Sequence, residues 1–201
     1  MISTLLDSSF VFVDLETTGA NPAVDRVIEI GIVKVDAGRL DYEWSTLVDP
    51  GAPIPPLIQR FTGITNGMVR GAPSFAEVAD DVLARLEGSL FVAHNARFDY
   101  GFLDHEFKRL GRVFRRPALC TVKLSRALYP EHRRHGLDAL IDRHGLDCAA
   151  RHRALGDARV LWDFIRRIDT EKPPEAIRAA LKKAITSPAV PKPEGGAGAH
   201  V

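Results

Sequence analysis

The chain has 201 residues, 45% hydrophobic and 26% charged, with 27 Lys/Arg against 26 Asp/Glu, the balance of a protein that buries one sizeable core. No apolar run approaches the ~20 residues needed to cross a bilayer. MISTLLDSSF lacks the basic region and apolar stretch of a secretory signal, so the expectation is a cytoplasmic protein without a membrane partner. Cys120 and Cys148 have no CxxC spacing and read as reduced thiols rather than a disulfide framework or zinc site.

In chain order, strands come first. Phe10 to Glu16 is the first, and the β-branched run Arg26 to Val35 the second. Asp36-Ala37-Gly38 then turns the chain into a hairpin partner, Leu40 to Val48. Four prolines make residues 50–56 a loop, and glycines break residues 58–73 into short helical turns. Ser74, with Glu77 three residues on, caps a helix running to about Leu86. Leu90 to His94 is a short buried strand, Ala96 to Leu110 a helix stopped by Gly111, and Ala118 to Thr121 another strand. Short helices occupy 123–146, a longer one Ala154 to Ile168, and an amphipathic one Pro174 to Ile185. Residues 187–201 are Pro/Gly-rich and read as a disordered tail. The order implies an α/β domain over residues 1–170, a C-terminal helix over 171–186, and the tail.

Charge is unevenly spread. Residues 1–104 hold 7 Lys/Arg against 15 Asp/Glu, whereas 105–160 hold 13 against 6. Two readings fit: a basic sector that receives a polyanion beside a cation site, or a solvated arginine-rich surface.

The acids are the informative residues. Asp14 and Glu16 are two apart in a strand and project from one face, where like charges repel unless a cation or proton intervenes. The competing reading ends the strand at Val13 and leaves both acids in water. Asp99 heads a helical stripe of Phe102, Leu103, Phe107 and Leu110, and Asp157 heads Val160, Leu161, Phe164, Ile165 and Ile168. A single acid on a core-facing stripe has ordinary explanations, such as a helix cap or an arginine partner. Two, added to the strand pair, are most economically explained by convergence on one place, where oxygen ligands suit Mg²⁺ or Mn²⁺. His152, five residues before Asp157, is the histidine placed to accept a proton from a metal-bound water.

Asp14-Leu15-Glu16 followed by Thr-Thr-Gly, His94-Asn95-Ala96-Arg97-Phe98-Asp99, and His152 with Asp157 in one ordered series resemble the DEDDh group of 3′–5′ exonucleases, in its DnaQ-like, polymerase III epsilon-type branch. Phe61 to Thr65 resembles that family's linking segment, and the likeness covers about residues 8–168. It implies an RNase H-like fold: a mixed five-stranded sheet, second strand antiparallel, flanked by helices. It also implies two divalent ions held by Asp14, Glu16, Asp99 and Asp157. Asp14 would bridge the ions, Glu16 and Asp157 would complete the nucleophile side, Asp99 would support the leaving-group side, and His152 would be the general base. The product implied is a nucleoside 5′-monophosphate released from a 3′ end.

The resemblance further places Thr17 and Thr18 near the terminal nucleotide, with His94, Asn95 and Phe98 as sugar and base contacts. Phe98 reads equally well as core packing. The expected partner is a nucleic acid with a free 3′ end, DNA favoured, as in proofreading or repair, with polymerase subunits as further partners. The alternatives are an exoribonuclease of the same fold and a mainly structural polymerase subunit.

Overall fold

A computed structural model describes residues 8–187. Its strands are β1 (Phe10–Thr17), β2 (Val27–Asp36), β3 (Arg39–Leu47), β4 (Leu90–Ala93), β5 (Ala118–Cys120) and β6 (Ile185–Thr186). The helices are α1 (Pro56–Thr62), α2 (Asn66–Val69), α3 (Phe75–Leu86), α4 (Arg97–Arg109), α5 (Thr121–Leu128), α6 (Leu137–His144), α7 (Ala154–Glu171) and α8 (Pro174–Ala184). The sheet order is β3-β2-β1-β4-β5-β6. β2 runs antiparallel to β1 and β3, β4 and β5 run parallel to β1, and β6 is antiparallel to β5.

The sheet therefore has six strands where five were expected. The extra one is short: α8 stops at Ala184, and Ile185 and Thr186 pair with Leu119 and Ala118 instead of continuing the helix. The edge strand β5 gains a partner at little cost, because only two residues change conformation. Residues 188–201, nearly all of the expected tail, lie outside the described residues. The sharp β2–β3 turn is made by Ala37 (φ 46°) and Gly38 (φ 74°), both left-handed as a two-residue hairpin demands.

The parity of β1 explains the two layers. Phe10 and Phe12 face one side, opposite Val35 and Val33 of β2, and pack with α5 to α8 through residues such as Leu124, Leu140, Leu161, Phe164, Ile165 and Ile177. Val11, Val13 and Leu15 face the other side and pack with α3 and α4 through Val82, Phe102, Leu103 and Phe107. Val160, Leu161, Phe164, Ile165 and Ile168 of α7 are fully buried, each worth roughly 1.5–3 kcal/mol of apolar transfer. The face of β1 that begins with Phe10 and Phe12 continues with Asp14 and Glu16, so core at one end of the strand becomes polar at the other.

Folding compensates part of the uneven charge. Arg112 pairs with Asp80, Arg153 with Glu29, and Arg159 with Glu43, so basic residues of 105–160 reach back to acids of the first half.

Candidate active site

The acids meet at the carboxyl end of β1. Asp14 and Glu16 share the face that α7 covers, and Asp157 lies in the first turn of α7, directly above them. One carboxylate oxygen from each of the three lies within 4.8 Å of the other two. Asp99 arrives from the opposite face, on the first turn of α4, and reaches over the end of β1. It is 2% exposed, and its Oδ1 accepts the Leu15 N–H at 3.1 Å.

Two glycines allow this approach. Gly31 lies opposite Asp14 in β2, and a Cβ there would sit 2.2 Å from the Ala154 carbonyl carbon. A Cβ on Gly156 would sit 2.2 Å from the Ala150 carbonyl oxygen. With any larger residue at position 31, the start of α7 could not lie this close to the sheet.

The electrostatics follow from crowding. Burial is the main cause that raises Asp99 to about 8 and Glu16 to about 7, and the Asp157 charge adds to the second. Burial also raises Asp157 to about 6, against the opposing pull of Arg151. Asp14 is pushed well above the carboxylate range by burial and then by the charges of Asp99, Asp157 and Glu16. Such a set takes up positive charge, as protons or as a cation, more readily than ordinary carboxylates do. Clustered oxygen donors with raised affinity for positive charge fit a hard divalent ion such as Mg²⁺ or Mn²⁺.

A cleft of about 380 Å³ opens over the acids, lined among others by Thr17, Phe61, His94, Asn95, Phe98, Arg151 and His152. His152 (φ 60°) and Asn95 (φ 58°) both hold left-handed backbone, a strained conformation for residues with side chains that often accompanies function. Burial, then the Arg151 charge, lowers the His152 pKa, which favours a neutral imidazole. His94 donates or accepts through Nδ1 with the Thr121 hydroxyl at 2.9 Å. Burial and Arg151 lower its pKa to about 4, and its buried Nε2 has no partner. Phe98 lines the cleft while its ring lies 4.9 Å from Phe102, so it packs against the core and also borders the cleft. Thr17 also lines the cleft. The Thr18 side chain is instead turned into the following loop, where it accepts the Arg26 N–H at 2.9 Å and faces Asp25 at 3.4 Å.

Among the lining residues not singled out from the sequence are Phe61 and Arg151. Phe61 is 59% exposed on α1, and its ring centroid lies 4.1 Å from that of His152. Arg151 bonds Asp138 at 2.7 Å through Nε and contacts Asp157 and His152 through Nη1. Arg151 sits next to His152 in the chain, but its partner Asp138 is thirteen residues away and gave no signal.

A mixed sheet with β2 reversed, helices on both faces and carboxylates converging at the end of its first strand defines an RNase H-like nuclease architecture. The family model described as Exonuclease (RNase_T) matches residues 11–164. The chain is 36% identical over 169 residues to DNA polymerase III subunit epsilon of Aquifex aeolicus, covering 84% of each chain. It is 41% identical over 172 residues to DNA polymerase III PolC-type of Thermotoga maritima, covering 85% of this chain and 12% of that protein. It thus spans about an eighth of the PolC-type relatives' length. Among solved structures, exonuclease X in complex with 5′ overhanging duplex DNA superposes with TM-score 0.66 at 28% identity, covering 86% of this chain and 99% of that one. The chain belongs to the RNase_T exonuclease family, with the DnaQ-like 3′–5′ exonucleases.

Proposed function

We propose that this protein is a metal-dependent 3′–5′ exonuclease that removes nucleoside 5′-monophosphates from single-stranded or frayed DNA, in proofreading or repair. The observation that carries the reading is the convergence of Asp14, Glu16 and Asp157 within 4.8 Å, with Asp99 and His152 beside them in one cleft. Asp14, Glu16, Asp99 and Asp157 would hold two divalent ions. When bound, such ions supply Lewis-acid stabilisation of the entering and departing oxygens of an in-line phosphoryl displacement.

The chain's own residues do the rest. His152, neutral because burial and Arg151 lower its pKa, accepts the proton of the attacking water. Phe61 and Phe98 offer aromatic surface on which a terminal base stacks regardless of its identity. Thr17, His94 and Asn95 line the position of the terminal sugar. DNA is favoured because the epsilon and PolC-type relatives are named as DNA polymerase III proteins and exonuclease X is described bound to DNA. Polymerase subunits are the partners those names point to. Helix α8 packs on this exonuclease domain, with Ile177, Ala180 and Ala184 buried in the core that α5 also lines.

The test is 5′-labelled DNA and RNA oligonucleotides of one sequence, incubated with Mg²⁺ or Mn²⁺ and with chelator. DNA should shorten from its 3′ end to release mononucleotides, with no reaction in chelator. Faster RNA shortening would overturn the choice of polymer, and activity in chelator would overturn the metal reading.

A further inference from the structure

One buried acid beside the cluster stands apart from it, yet touches the element that delivers Asp157. Glu29 lies directly opposite Glu16 in the β1–β2 register, on the side that α7 covers. It is 3% exposed. Its two oxygens are fully committed. Arg153 Nε donates to both at 3.1 Å, Arg153 Nη2 donates to Oε1 at 2.6 Å, and the backbone N–H of Ala154 donates to Oε2 at 2.9 Å. Four bonds from two residues leave it no freedom to ligate an ion.

Those two residues have a particular location. Arg153 is the N-cap residue of α7, Ala154 its first helical residue, and the Arg153 side chain makes no capping bond of its own. His152 precedes them, and Asp157 follows in the same turn. Gly31, two residues along on the same face of β2, supplies the notch that Ala154 enters. Notch and carboxylate together fix both the distance and the direction of the helix start.

We propose that Glu29 is a positioning residue: through Arg153 and the Ala154 amide it docks the first turn of α7 on β2 and so sets Asp157 and His152 against Asp14 and Glu16. It acts on the ion and the water only through these neighbours. An anion at a helix N-terminus is also favourable in itself, since free amides point at it, which makes the dock stronger than a surface ion pair. Partners that hold metal ligands in this way commonly change affinity 10–100-fold when removed.

The inference rests on the reading that the acid cluster binds divalent ions, and the experiment separates the two. Mn²⁺ binding to the full chain is measured by titration calorimetry for the wild type, Glu29→Gln and Arg153→Gln, alongside thermal melts in chelator and in Mn²⁺. Arg153 is reached from the surface, its side chain being 42% exposed, so its variant tests the dock even if Glu29→Gln does not fold. The expected result is at least about tenfold weaker Mn²⁺ binding in both variants and a smaller Mn²⁺-induced rise in Tm. Arg153→Lys, which keeps the charge and loses the fork, should fall between. Wild-type Mn²⁺ affinity in the variants, whatever their Tm in chelator, would overturn the positioning role and leave Glu29 a stability element. A wild-type protein that binds no Mn²⁺ would overturn the metal reading itself.

Discussion

Helices α4 and α7 carry the same local pattern, an aspartate in the first turn above an apolar stripe, and put it to different use. α4 lies on one face of the sheet and α7 on the other. Asp99 is anchored to backbone, accepting the Leu15 N–H, and burial holds its pKa near 8. Asp157 faces a guanidinium, and the Arg151 charge limits its rise to about 6. One carboxylate is fixed in place and waits for positive charge; the other already has a cation beside it. Identical helical phasing therefore says where an acid points but not what compensates it.

The largest effect should come from Asp14, the acid between the two helices. Asp14→Ala is expected to lower kcat by roughly a thousandfold or more, since several kcal/mol of charge stabilisation is lost, while Tm in chelator at neutral pH is not lowered, because a crowded buried acid is removed. Nucleotide release at the wild-type rate in Mg²⁺ would break the assignment. On the α7 side, His152→Ala should cut kcat about 10²–10⁴-fold, the usual contribution of a general base, while calorimetric Mn²⁺ affinity stays within a few-fold. Its stacking neighbour should behave oppositely: Phe61→Ala should raise KM for a single strand, by about the 1–3 kcal/mol that one stacked base supplies, with kcat little changed.

The smallest and most direct test of the comparison is thermal. An acid whose folded pKa is raised costs stability as pH climbs from its unfolded value, near 4, up to the folded one, because the unfolded chain ionises first. For Asp99 that window runs to about pH 8, and for Asp157 it closes near pH 6. In chelator, Asp99→Asn should therefore raise Tm by a few degrees at pH 9, by less at pH 7, and by little at pH 5. Asp157→Asn should gain less, and its gain should be complete by pH 7. A larger gain for Asp157→Asn would reverse the roles assigned to the two helices.

Much of the site was legible. Strand parity put Asp14 and Glu16 on one face, and helical spacing made Asp99 and Asp157 inward-facing, because periods of 2 and 3.6 are properties of neighbouring residues. The same reasoning implied convergence on a single interior. It did not reveal that the helices lie on opposite sides of the sheet, so that Asp99 comes over the strand end while Asp157 sits above it. Thr18 read as a nucleotide contact because it follows the motif; its hydroxyl is engaged by Arg26 and Asp25 in the adjoining loop. Phe61 read only as part of a linking segment, and its place against His152 depends on how α1 packs ninety residues away in sequence. The sixth strand was missed because two residues are too few for any periodicity.

By itself the sequence determined the order of elements as far as α8, the acids and histidine of the motifs, and the family those motifs resemble. All of these are encoded in local spacing. Only the tertiary structure decided which charges meet. It joined Arg153 to Glu29 and Arg159 to Glu43 across more than a hundred residues, brought Arg151 to Asp157, and used Gly31 as the notch for α7. Those pairings depend on sheet register and on the approach of a helix to a strand, and neither is a property of any short stretch of chain.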